Sequence, residues 1–136
     1  MNREKKMELR STLFRHLDGI AIAPTVSALQ ERGITNFIQD NPHFTFQGIH
    51  EKFQTNSGYL NVALRLLTSQ GWLIRNIQQD GEEIEFELTD KGREAFSLAP
   101  IYTSFCKFIP LLIELDKSLF NPNARSAQEN FQNLLE

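Results

Sequence analysis

Three histidines, one cysteine and a run of carboxylates are the side chains of this 136-residue sequence that could ligate a metal or move a proton. Their spacing argues against both. His16, His43 and His50 stand apart, with no pair four residues apart of the kind that brings two imidazoles to one helix face. Cys106 is the single cysteine, which excludes an internal disulfide or a multi-cysteine zinc site, and its apolar neighbours make it a buried, inert thiol. Ser104 and Cys106 have no base nearby in sequence to activate them. The acidic residues from Asp80 to Glu87 alternate along one segment, as a solvated strand face does, and form no acid–base pair. The seven glycines are scattered, so no glycine-rich loop can cradle a phosphate. The sequence therefore assigns no catalytic residue, no cofactor-binding residue and no metal ligand.

A second kind of chemistry, reading of nucleic acid, has better candidates. Asn56, Ser57, Tyr59, Asn61 and Arg65 cluster about the start of one helix and can reach base edges or phosphates. Their surroundings carry the wrong charge. Between residues 44 and 88 the three basic side chains Lys52, Arg65 and Arg75 face six acidic ones, Glu51, Asp80, Glu82, Glu83, Glu85 and Glu87, and the whole chain has net charge −3. Phosphate neutralisation supplies most of the non-specific affinity for DNA, so this face begins at a disadvantage. The plainer expectation is that Asn56 and Ser57 cap the helix and that Arg65 pairs with a carboxylate.

The elements that hold these residues follow from periodicity and turn residues. Met7, Leu9, Leu13, Phe14 and Leu17 approximate helical spacing from Arg3 to about Asp18, with Gly19 as the stop. Pro24 then opens a short second helix that Gly33 closes, with a further turn over 36–40. Phe44-Thr45-Phe46 reads as a small strand leading into a helix that carries Ile49 and Phe53. Residues 59–70 place Leu60, Ala63, Leu64 and Leu67 on one helical stripe that ends at Gly71. A hairpin over about 72–88 turns at Asp80-Gly81, and Thr89 caps a helix running through Phe96. This order predicts a mainly α fold with a small β-hairpin: a winged helix-turn-helix with extra N-terminal and C-terminal helices. Four regions are expected: N-terminal helices over 1–35, the winged-helix core over 36–98, one apolar helix over 99–120, and a tail over 121–136.

The 99–120 helix has more apolar side chains than one small core can hide. Tyr102, Phe105, Phe108, Ile109, Leu112 and Leu115 lie on several of its sides and are the expected contacts with a second copy or a neighbouring domain. The alternative is that the first helix folds back over it through Leu13, Phe14 and Leu17. Lys107, Pro110, Glu114, Asp116 and Lys117 interrupt the segment and rule it out as a membrane span. The start lacks the apolar core and cleavage site of a secretion signal, so a cytoplasmic protein is expected. In the tail, Ser126 to Glu129 forms a capping-box pattern before Phe131, Leu134 and Leu135, a helix start that suggests a further domain beyond.

Four segments, LFRHLDGIAIAPTVSAL (13–29), YLNVALRLLTSQGWL (59–73), LTDKGREAF (88–96) and YTSFCKFIPLLIELDKSLF (102–120), resemble the N-terminal region of bacterial S-adenosylmethionine-dependent methyltransferases. These are related to small-molecule O-methyltransferases and to methyltransferase-like domains of polyketide pathways. The resemblance implies a non-catalytic winged helix that dimerises and lines a substrate pocket. Adenosylmethionine would bind only in a downstream domain, since its glycine motif has no counterpart here. The expected partners are a second copy of the chain, a following catalytic domain, or both. The middle two segments also resemble dimeric winged-helix transcriptional regulators of the MarR or PadR type, whose Asn56, Ser57, Tyr59, Asn61 and Arg65 equivalents would meet DNA. A protein-docking adaptor is the third reading.

Overall fold

The structure is a computed structural model that describes residues 1–78, 83–126, 129 and 132. Helix α1 runs from Arg3 to Glu31 without interruption, so the expected stop at Gly19 and restart at Pro24 are corrected to a single helix. Its start is capped by Asn2, whose side chain accepts from the Lys5 N–H at 2.8 Å. Gly19 keeps a helical backbone, and Pro24 removes only the one N–H that would have met Ile20 four residues before. Packing outweighs those local costs, because Ile22, Val26 and Leu29 are all buried on the far side of the proposed break. Gly33, with φ of 81°, turns the chain out of α1 in the left-handed conformation, and α2 (Ile34–Asp40) follows directly.

Strand β1 (His43–Thr45) leads into α3 (Phe46–Phe53), whose first turn is capped by the Thr45 hydroxyl accepting from the Gly48 N–H. Helix α4 (Ser57–Ser69) buries Leu60, Leu64 and Leu67, each burial being worth about 1.5–3 kcal/mol. Its end is a two-bond Schellman turn: the Gly71 N–H donates to Thr68 at 3.0 Å and the Trp72 N–H to Leu67 at 3.1 Å, with Gly71 at φ 77°.

The chain then enters the wing, β2 (Leu73–Ile77) and β3 (Ile84–Leu88). The sheet has the order β1-β3-β2, all antiparallel, with Leu73 opposite Leu88, Ile77 opposite Ile84, and Phe44 opposite Phe86. The turn expected at Asp80-Gly81 lies outside the described residues. Phe44 and Phe86 stack at 5.4 Å and turn inward, whereas Glu85 and Glu87 take the opposite face by strand alternation. Helix α5 (Asp90–Ser97) sets Phe96 edge-on to Trp72 at 6.3 Å.

One core joins these elements, from Ile22 through Ile38, Ile49 and Leu64 to Phe96 and Ala99. The fold is a mainly helical winged helix with a small three-stranded antiparallel sheet.

The single helix expected over 99–120 is corrected to three: α6 (Ala99–Cys106), α7 (Ile109–Ile113) and α8 (Leu115–Leu119). Pro110 is the physical reason for the first break, since it has no N–H to give to Cys106 and its ring crowds that carbonyl. The chain tightens there, with Phe108 donating to Phe105 at 3.0 Å. Helix α6 packs along α1, the broadest helix-to-helix contact among the described residues.

Candidate interaction surface

The first two thirds of α1 project from the core: among its first nineteen residues only Thr12 is even partly covered. Met7, Leu9, Leu13, Phe14, Leu17 and Ile20 are all exposed there. Leu13, Phe14 and Leu17 therefore do not fold back as a cover for the C-terminal segment. That segment is exposed as well, through Ile101, Phe105, Leu112, Ile113, Leu119 and Phe120. The accessible surface is 9936 Å², whereas a compact protein of 15.7 kDa presents about 7,300 Å², an excess of roughly 2,600 Å². Obligate dimers cover about 2,000–5,000 Å² in total, or about 1,000–2,500 Å² from each chain, so the excess of one chain matches the upper end of what such an interface would remove from view.

The six contacts expected from the sequence separate into two groups. Tyr102 turns toward its own protomer, edge-on to Trp72 at 6.5 Å and packed on the core. Phe108 and Ile109 are half-buried, and Phe108 meets Phe105 edge-on at 6.1 Å. Phe105, at 64% exposure, Leu112 and Leu115 are open. Cys106, expected from its neighbours to be buried, is half-buried. Outside those six expected contacts, Met7, Leu9 and Ile20 of α1 and Ile101, Ile113, Leu119 and Phe120 of the C-terminal layer are exposed as well. The expectation of two helices before residue 35 had divided the α1 stripe and concealed its length.

On the winged-helix face, Tyr59, Val62 and Arg65 form an exposed stripe along α4 at spacings of three. Asn56 is the N-cap, its Oδ1 accepting the Tyr59 N–H at 3.1 Å; Ser57 occupies the first helical position and Asn61 is half-buried. No carboxylate among the described residues lies within ion-pair distance of Arg65, so the pairing expected for it is not formed there. The described part of the wing adds Glu83, Glu85 and Glu87 against one arginine, Arg75, whose buried Nε has no hydrogen-bond partner among the described residues.

His50 shares a 2.9 Å hydrogen bond between Nδ1 and Thr55 Oγ1, whereas His43 is exposed on β1. Among the described residues no three His, Cys, Asp or Glu side chains gather where they could hold a metal ion. No helix of the described residues is long and apolar enough to cross a membrane.

Residues 9–75 match the family described as AprA N-terminal domain. No curated protein matches the chain in sequence. Three similar solved structures are a mutant MarR from E. coli, AbfR of Staphylococcus epidermidis bound to DNA in its overoxidized form, and YusO from Bacillus subtilis. The MarR structure is 17% identical, covering 99% of this chain and 94% of its own, with a TM-score of 0.47. The DNA-bound AbfR is 20% identical, covering 87% and 97%, with a TM-score of 0.45. YusO is 13% identical, covering 98% and 92%, with a TM-score of 0.45.

Proposed function

We propose that this chain is a self-associating winged-helix module without catalytic machinery of its own, built to pair through the N-terminal part of α1 and the α6–α8 layer. The observation that carries the reading is the apolar surface these segments leave open, on a scale that a lone soluble domain seldom exposes. A twofold arrangement is the commonest way to cover such a surface, since each copy then presents and receives the same patch. Within a longer protein the module would also seat a following methyltransferase domain and line its substrate pocket, the use that the sequence resemblance implies.

Sedimentation velocity tests the pairing. The chain is expected to run as a dimer at micromolar concentration, and Phe105→Asp is expected to weaken association by about 30-fold, the effect of losing roughly 2 kcal/mol at a central contact. Because Phe105 is exposed in the lone protomer, the variant should keep its helical circular dichroism. A monomer before and after the substitution refutes the reading.

A second reading, a DNA-binding regulator, has one observation in its favour: the exposed Tyr59, Val62 and Arg65 stripe, with the guanidinium free of any carboxylate among the described residues. Against it stand the carboxylates of the sheet.

A further inference from the structure

Between the C-terminal third of α1, the α3–α4 turn and the near side of α4 runs a groove of about 860 Å³, within the roughly 300–1,000 Å³ range of small-molecule sites. Most of its wall is apolar: Ala28 and Leu29 from α1, Phe53 from α3, and Tyr59 and Val62 from α4. Only two of its lining residues are charged, and both are cations, Arg32 and Lys52. In a chain of net charge −3 this local excess of positive charge is a departure from the whole. Lys52 is also held in place. Its ammonium lies 5.4 Å from the Phe37 ring centre and 5.9 Å from that of Phe53, two rings that are themselves packed edge-on at 5.6 Å. Of these two rings only Phe53 lines the groove, and its contact with the ammonium narrows the positions Lys52 takes beside that wall. Arg32, exposed beyond the last turn of α1, has no carboxylate among the described residues within ion-pair distance.

We propose that this groove binds a soluble amphipathic carboxylate, its apolar body against Leu29, Phe53 and Val62 and its carboxylate between Arg32 and Lys52. Charge complementarity selects the anion, and the apolar wall selects the body that carries it.

Titration calorimetry with decanoate, and with decan-1-ol as the uncharged partner of the same chain length, tests this on the whole chain. One molecule of decanoate per protomer is expected, bound at least about tenfold more tightly than the alcohol, as a charge-assisted contact demands. The double variant Arg32→Gln, Lys52→Gln should bring decanoate down to the level of the alcohol, and Val62→Trp, which fills the groove from an exposed position, should abolish both. Phe105→Asp, outside the groove, should leave the affinity unchanged, so this site and the self-association surface stand or fall separately. Equal binding of acid and alcohol, indifference to the double variant, or decanoate bound as tightly by the Val62→Trp protein overturns the proposal. So does retention only by anionic phospholipid vesicles or by an acidic peptide.

Discussion

Thr89 and Gly92 hold the wing to the helix that follows it. The Thr89 hydroxyl accepts the Gly92 N–H at 2.9 Å and donates toward the carbonyls of Gly71 and Trp72, at 2.7 and 3.1 Å, while the Thr89 N–H also reaches Trp72. The glycine lets this happen. A Cβ built at Gly92 would lie 2.1 Å from the Trp72 carbonyl oxygen and 2.8 Å from Leu88 Cδ1, and the first of these is backbone that cannot swing aside. Gly92→Ala should therefore destabilise the fold by about 3 kcal/mol, the upper end for overpacking, and lower Tm by roughly 10 °C in a chain this size. A Tm within a degree or two of the parent would show that α5 can shift freely. From the sequence, Thr89 is readable as a cap because threonine before an acidic first turn has a mechanism for it. The need for glycine three residues later is not, since it arises from the Trp72 backbone, which only the folded chain brings near.

At the level of elements, local signals succeeded where a single bond decides the outcome and failed where packing does. Gly71 ends α4 because the left-handed turn satisfies the last carbonyls, and the inward phase of β3 follows from Phe86 and Leu88 alternating with glutamates. Gly19 and Pro24 carried the same local meaning and lost it, because the buried Ile22, Val26 and Leu29 reward a continuous α1. Pro110 did the reverse and divided a stretch whose apolar composition reads as one helix. Gly19 supplies the test for α1. Its backbone is not left-handed and nothing lies within 4 Å of an added Cβ, so Gly19→Ala should slow amide exchange in the neighbouring turns about fivefold, the factor equivalent to a propensity gain of about 1 kcal/mol. Faster exchange there would mean that the helix breaks at Gly19. The groove beside α4 was not legible at all, because three stretches distant in sequence supply its walls.

For the molecule as a whole, charge sets the order of the two functional readings. The acidic sheet face and net charge of −3 oppose a polyanion, while the α4 stripe offers one arginine that no carboxylate among the described residues pairs. No retardation of a 20-bp duplex is therefore expected at micromolar protein even at low ionic strength, where phosphate contacts are strongest. A complex that weakens with salt and disappears with Arg65→Glu would reverse that order.

The break at Pro110 has a consequence for how the carboxyl-terminal layer meets whatever lies on it. A rigid rod touches a convex neighbour along one line, but short helical links joined by tight turns can each lie flat against a different facet. Phe105, Leu112 and Leu119 sit on three successive links, so together they can follow a curved companion as a watchstrap follows a wrist.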